Sequence, residues 1–307
     1  MSEYSFYQLD VFTQKVFCGN PLAIFPEAEG LSDEEMQQIA REMNLSETVF
    51  VLPSEKALRR LRIFTPMQEL PLAGHPVVGT WNLLAQLRVT PQTENGFVKI
   101  EQELKLGVLP VEIEFRDKKP FQVMMTQGKF ETSEIVSDQR KIEKLAEGLG
   151  LKVSDFDLRE DLPIQVVSTG IKALAVPLAS LEALSRCLIN PMLLSEIYLA
   201  YGAIGCYVFT FETIEKDSKI HARFFAPDDN IVEDAATGSA AGSLSGYLIH
   251  HGAIETIEKN ARFTIEQGDF MKRPSRIFAE VSGEKGIVEI VKIGGSSVVV
   301  ARGEVFF

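Results

Sequence analysis

Apolar positions along the chain first recur in short, strand-like runs at 6–12 and 22–25, joined through the turn signal Cys18-Gly19-Asn20-Pro21. A helix is predicted to open at Ser32. Ser32 and Glu35 form an S-x-x-E capping box, Leu31 and Met36 are spaced for a hydrophobic staple, and Met36, Ile39, Ala40 and Met43 recur at helical spacing. Asn44 suits the position that stops such a helix. Leu45-Ser46-Glu47-Thr48 then feeds a strand at 49–52, and a second strand at 61–64 runs into Thr65-Pro66. After Pro71-Leu72-Ala73-Gly74-His75-Pro76 a helical run passes through Trp81, Leu84 and Leu87, with Pro76 fitting its first position.

The second half repeats this order. Gly19-Asn20-Pro21-Leu22-Ala23-Ile24-Phe25-Pro26 matches Gly170-Ile171-Lys172-Ala173-Leu174-Ala175-Val176-Pro177, with Gly and Pro in register at both ends. Arg62-Ile63-Phe64-Thr65-Pro66 matches Arg223-Phe224-Phe225-Ala226-Pro227, and each is followed by a loop, a glycine (Gly74, Gly238) and a small-residue-rich helix. Matches in a common order predict duplication of a whole domain rather than a solenoid repeat; the alternative is two unrelated α/β segments with ordinary strand-turn-helix punctuation. A length of 307 residues suits two domains of roughly 150 residues each. The segment 116–129 is the best place for their boundary, and the cleft between facing domains is where a small ligand is expected.

Composition narrows the function. Apolar residues at 45% and charged residues at 24% belong to a folded chain rather than a disordered or fibrous one. A net charge of −12 disfavours nucleic acid and anionic membranes as partners. The two basic clusters, Arg59-Arg60 with Arg62 and Arg116 with Lys118-Lys119, read as solvated surface. Cys18, Cys187 and Cys206 are too few and too scattered for a disulfide framework or a zinc ribbon, which predicts reduced thiols. With no signal-like N-terminus and no long apolar stretch, the expected location is cytoplasmic.

Two loop-to-helix turns carry the candidate chemistry, Ala73-Gly74-His75-Pro76 and Ala236-Thr237-Gly238-Ser239-Ala240. Each offers a glycine at which a ligand can approach the backbone and a helix N-terminus that favours a carboxylate. Taken singly, either turn reads as plain helix initiation; a facing pair would grip an anionic substrate from both sides. Glu47, taken alone, reads as an ordinary glutamate ahead of a strand, but its match in the second half falls near Gly205 and Cys206. A carboxylate on one side only is what a single acid/base group would show. His75 is the only histidine at a predicted loop-to-helix turn, whereas His250 and His251 close a helix before Gly252 and read as capping or solvated residues. Asp234 precedes Gly238, where anchoring a helix N-terminus is the alternative role. A serine-hydrolase arrangement of Ser239, His75 and Asp234 is disfavoured because Gly238-Ser239-Ala240-Ala241-Gly242 sets its serine one place too early for G-x-S-x-G. No sequence motif asks for a nucleotide, a metal or another cofactor.

The motifs Asp10-Val11-Phe12-Thr13, Gly19-Asn20-Pro21, Leu45-Ser46-Glu47-Thr48, Arg62-Ile63-Phe64-Thr65-Pro66, Glu69-Leu70-Pro71-Leu72-Ala73-Gly74-His75-Pro76 and Glu233-Asp234-Ala235-Ala236-Thr237-Gly238-Ser239-Ala240-Ala241-Gly242 together resemble the PhzF-like phenazine-biosynthesis family. That resemblance implies an α+β fold of diaminopimelate-epimerase type, with two pseudo-symmetric domains that each wrap a sheet around a central helix. The expected domains are 1–120 and 121–295, with a last strand within 296–307 returning to the first. It implies a cofactor-independent isomerase that moves a proton on a small carboxylate-bearing substrate, as the family's type member does on a dihydro-hydroxyanthranilate. By motif, Glu47 is the acid/base group, assisted by His75, Asp234 and Ser239, while Asn20, Ser46, Gly74, Thr237 and Gly238 bind substrate. A homodimer is implied as well. Relatives in the wider superfamily use two opposed cysteines, and Ala73 and Ala235 stand where those thiols would align, so two-thiol racemisation is disfavoured and Cys18 and Cys206 read as buried apolar residues. The alternative is a catalytically idle binding or interaction protein that keeps the cleft.

Overall fold

The computed structural model describes residues 3–229 and 231–306; Met1, Ser2, Asn230 and Phe307, the last of these the end of the strand expected within 296–307, lie outside the described residues. The chain is mixed α/β and dominated by sheet, and it divides into two compact units, residues 1–126 with 294–307 and residues 127–293.

In the first unit β1 (Glu3–Val11) runs antiparallel to β2 (Asn20–Phe25). Helix α1 (Asp33–Met43) carries the chain back, so that β3 (Glu47–Leu52) lies parallel to β2 with Glu47 opposite Leu22. The expected signals account for α1. Ser32 accepts from the Glu35 N–H, the Glu35 carboxylate accepts from the Ser32 N–H at 2.7 Å, and Asn44 ends the helix at φ 50°. Its apolar face buries Met36, Ile39 and Ala40 with Leu31 against Phe25, Phe50 and Phe64, whose rings stack at 5.0 Å and meet edge to face at 5.5 Å.

β4 (Arg59–Phe64) is antiparallel to β3, and β5 (Glu69–Leu70) is antiparallel to β4 with Leu70 opposite Ile63. Helix α2 (Gly74–Gln86) is buried from His75 to Ala85, the all-round apolar pattern of a helix inside a core. It packs on β1, β2 and β3, and also on the meander β6 (Gly96–Leu104), β7 (Gly107–Arg116), β8 (Lys119–Thr126) through β7 and β8. Within it Trp81 is fully buried and donates its indole N–H to Gln102 Oε1 at 2.7 Å. The helix begins two residues earlier than expected: Ala73 is the N-cap and Pro76 the third residue. Proline fits there because none of the first helical N–H groups has an intrahelical acceptor.

The second unit opens with β9 (Glu131–Ile135), helix α3 (Gln139–Leu149), and β10 (Gln165–Ser168), which pairs antiparallel with both β9 and β11 (Lys172–Pro177). Helices α4 (Leu181–Arg186) and α5 (Pro191–Ala200) lead to β12 (Gly205–Thr210), parallel to β11 with Gly205 opposite Ala173. β13 (Ile220–Ala226) is antiparallel to β12, and β14 (Ile231–Asp234) is antiparallel to β13 with Asp234 opposite Phe224. Helix α6 (Gly238–His250) is buried along most of its length and packs on β10, β11 and β16 (Ser275–Glu284); β15 (Asn260–Gln267) lies parallel to β13 and antiparallel to β16. After β17 (Ile287–Gly295), the last strand β18 (Ser297–Phe306) runs antiparallel to β1.

Several expectations need correction. Arg62 is not solvated surface: its side chain is 11% exposed and forms a two-pronged ion pair with Glu69 at 2.8 and 3.0 Å and a further one with Asp33. The hydrogen bonds it donates to Glu69 hold its charge. The reading of His250 and His251 needs no correction: His250 ends α6 and His251 is its C-cap, with Gln165 Oε1 accepting from the His251 ring at 2.9 Å. Cys187 and Cys206 are buried, and burial pushes the Cys187 thiol up to about 12, but Cys18 is only half-buried. Among the described residues no helix is long and apolar enough to cross a membrane.

Candidate active site

In the first unit the sequence-predicted residues come together where β2, β3 and α2 begin. Asn20 opens β2 and is 1% exposed; Ser46, one residue before β3, donates its hydroxyl to Asn20 Oδ1 at 3.2 Å. Glu47 is the first residue of β3, and its Oε2 lies 3.2 Å from Nε2 of His75, the second residue of α2. The two atoms are in ion-pair range but not aligned as a hydrogen bond. A carboxylate so close favours an imidazolium, whereas burial disfavours it, and with His75 buried the second effect prevails: its pKa is pushed down to about 3. The ring is therefore neutral at physiological pH.

In the second unit Asp234, Thr237, Gly238 and Ser239 form their own cluster where β14 passes into α6. Thr237 donates its hydroxyl to Asp234 Oδ2 at 2.6 Å, and Ser239 is the second helical residue, half-buried. Asp234 does not cap α6; it ends β14. Its strand neighbour Glu233 points the other way, into a two-pronged ion pair with Arg223 at 2.8 Å on both arms.

The helix termini separate these two turns from the rest. α1, α3, α4 and α5 are capped by the side chains of Ser32, Asp138, Ser180 and Asn190. α2 and α6 have no side-chain cap and no acidic residue in the first turn. Their first N–H groups and the positive ends of their dipoles are thus not answered by the helix's own side chains, which suits a carboxylate or a developing oxyanion. Neither Gly74 nor Gly238 takes a positive φ, so backbone conformation does not demand glycine at either position. The N-caps are Ala73 and Thr237. The alignment of Ala73 with Ala235 is therefore wrong by two residues, because Ala235 sits buried before the cap with its carbonyl accepting from Ser275 Oγ at 2.9 Å. The corrected alignment still sets no thiol at either turn.

Sequence reasoning passed over two groups. Gln267 closes β15 and bonds the Asp234–Thr237 turn from 30 and 33 residues away, a separation that leaves no periodic trace. His221 is fully buried, with Nδ1 2.9 Å from Glu266 Oε2 and Nε2 3.5 Å from Asp269 Oδ2. Burial pulls Glu266 upward, but bonds from His221 and from the N–H groups of Ile214 and Glu215 outweigh it and hold its pKa down to about 2. The lone histidine of a buried strand carried no motif.

The first unit thus sets a half-buried carboxylate beside a buried imidazole at an uncapped helix start, and the second has an uncapped helix start of its own. The chain belongs to the phenazine biosynthesis-like protein family (PhzC-PhzF), whose model matches residues 9–303. It is similar to an uncharacterized isomerase of Clostridium acetobutylicum, with 36% identity over 304 residues covering 98% of each chain. It is equally similar, at 36% over 299 residues and covering 97% of this chain and 98% of the relative, to trans-2,3-dihydro-3-hydroxyanthranilate isomerase of Pseudomonas aeruginosa. The crystal structure of a PhzF-family phenazine biosynthesis protein of Bacillus anthracis matches all of both chains with a TM-score of 0.87 at 30% identity. A hydroxyproline epimerase from Agrobacterium vitis shares the fold alone, with a TM-score of 0.65 at 12% identity over 99% of this chain and 92% of the other. The chain is an enzyme of the isomerase class.

Proposed function

We propose that the chain is a cofactor-independent isomerase that moves a proton on a small carboxylate-bearing substrate with Glu47 as the single acid/base group. The observation that carries this reading is the 3.2 Å contact of Glu47 with the buried His75 beside an uncapped helix start. Glu47 takes a proton from one carbon and returns it to another on the same face of the substrate. The removal of a carbon-bound proton requires a base whose pKa lies nearer neutrality than that of a free glutamate. A neutral His75 can donate one hydrogen bond or accept one as Glu47 changes protonation state. Asp234 and Ser239 hydrogen-bond the shifting substrate functions, and Asn20, Ser46, Gly74, Thr237 and Gly238 hold the substrate.

We further infer that the units descend from one duplicated, pseudo-symmetric domain. In each, two parallel strands (β2 and β3; β11 and β12) are followed by an antiparallel strand, a short strand, and a buried 13-residue helix. The ion pairs Arg62–Glu69 and Arg223–Glu233 recur at matching places, as do the parallel pairings β4 with β6 and β13 with β15. In this register Glu47 corresponds to Gly205 and Asp234 to Leu70. A Cβ on Gly205 would lie 2.5 Å from the Phe224 ring, so that ring fills the space a second glutamate would need. This supports one acid/base carboxylate rather than two opposed bases.

The test uses trans-2,3-dihydro-3-hydroxyanthranilate in deuterated water. Wild type is expected to convert it and to place deuterium at the carbon that receives the proton, less any fraction returned directly. Glu47→Gln keeps the shape and should bind but lose turnover by several orders of magnitude. Wild-type turnover by Glu47→Gln would sink the single-glutamate mechanism.

A further inference from the structure

Gln267, the last residue of β15, is a fully buried amide that spends both of its ends on the turn between β14 and α6. Backbone groups decide which end is which. The Thr237 N–H donates to Oε1 at 3.1 Å, and the Asp234 carbonyl accepts from Nε2 at 2.9 Å; neither can exchange its role. The Tyr207 hydroxyl donates to the same Oε1 at 2.9 Å, and burial, with the nearby Asp234 adding to it, keeps that phenol protonated. The remaining Nε2 proton goes to Thr237 Oγ1 at 3.0 Å. With its oxygen occupied as an acceptor, the Thr237 hydroxyl spends its own proton on Asp234 Oδ2 at 2.6 Å.

Threonine at an N-cap ordinarily bonds the helix's own N–H groups, and here it does not. The strand turn under it is built to keep the arrangement. Gly268, at φ 81°, lies so close that a Cβ would sit 2.5 Å from the Ala235 carbonyl, and Ser275 donates to that same carbonyl.

We propose that Gln267 is the positioning residue of this turn: by donating to Thr237 Oγ1 it points the Thr237 hydroxyl at Asp234 and off the helix, which orients the Asp234 carboxylate and leaves the first N–H groups of α6 to a substrate anion. The functional meaning rests on the reading of Asp234 as a substrate-binding group. The relay itself does not.

Carboxyl 13C NMR on protein labelled at aspartate reads the relay without a substrate, with the Asp234 signal identified by its loss in Asp234→Asn. Glu233, the neighbour of Asp234 on β14, is held by Arg223 of β13, and burial keeps Tyr207 of β12 neutral. Thr237→Val removes the hydroxyl and leaves Gln267 in place; it is expected to raise the Asp234 titration midpoint by on the order of one unit. Gln267→Leu, or Gln267→Met should the former not fold, is expected to raise it likewise. The double variant should rise no further than the larger single change, because both break one relay. Thr237→Ser keeps the hydroxyl and the wild-type midpoint. An unmoved midpoint in Thr237→Val, or in a folded Gln267 variant, overturns the proposal. With trans-2,3-dihydro-3-hydroxyanthranilate as substrate, the Gln267 variant should raise KM more than it lowers kcat. Wild-type turnover by Asp234→Asn, with the NMR shifts intact, would instead remove the functional role of Asp234 and leave the relay standing.

Discussion

At 7% exposure the His75 ring has lost most of the water that stabilises its charged form. A histidine whose pKa is held at about 3 does not titrate between pH 5 and 8, so it cannot shape an activity profile there. His75→Gln should lower kcat, because the amide replaces the imidazole imperfectly beside Glu47, while both limbs of the kcat/KM profile stay where they are. Disappearance of a limb near pH 6.5 in that variant would show that His75 is charged in the free enzyme after all. Gly205 makes the complementary case. Adding one methyl brings it against the Phe224 ring and within 3.0 Å of the Phe225 carbonyl, so Gly205→Ala is expected to cost about 1–3 kcal/mol in urea denaturation. A second change, Phe224→Leu, should recover part of the loss. A neutral Gly205→Ala would mean that the strand has room for a side chain at the position matching Glu47.

The helices show how much of this was legible. Capping box, staple and stop signal all lie within residues 31–44 around α1, and the helix forms where they point. α2 carries no cap signal, and Pro76 drew its expected start two residues too late. The missing cap is what makes the turn a candidate site, so the feature that hid the boundary is the one that matters for binding. Glu47 and His75 were found through motifs, but their 3.2 Å approach depends on β3 lying parallel to β2, which no local pattern states. Gln267 is harder still, since a side chain that bonds a turn 30 residues away leaves no spacing to read. The alternation of Val111, Ile113 and Phe115 inward with Glu112 and Glu114 outward shows that β7 was open to a period-two reading. Filling the empty cap tests the assignment of the turn: Ala73→Asp should stabilise the ligand-free protein by about 1 kcal/mol, because its carboxylate can answer the orphan N–H groups. The same carboxylate should remove the thermal shift produced by a carboxylate ligand. A variant stabilised in this way that still binds normally would show that the α2 terminus is not where the anion goes.

For the whole molecule, the two strongly depressed pKa values predict how acid takes the fold apart. His75 belongs to the first unit and Glu266 to the second. His75 is held near 3 in the folded chain against 6.5 when unfolded, so on acidification the unfolded state takes up the proton first. Its contribution is complete above about pH 6.5 and is lost progressively as the pH falls toward 3. Glu266, near 2 against 4.5, contributes fully above pH 4.5 and loses its share only as the pH falls through 2. Between pH 6 and 5, then, only the first of these groups is at work, with a limiting slope of about 1.4 kcal/mol per pH unit for one proton. A single unfolding free energy is poorly defined for a chain of two compact units, whereas hydrogen exchange reads each on its own. Corrected for intrinsic rates, amides of β3 and α2 should lose more protection between pH 6.5 and 5 than those of β13 and β15, whose unit holds His251, also lowered by partial burial. His75→Gln, which has nothing to titrate, should abolish the loss in β3 and α2. If wild type and His75→Gln lose protection in β3 and α2 equally over that interval, the imidazole is not buried as a neutral group, and the partner that steadies Glu47 must carry a charge.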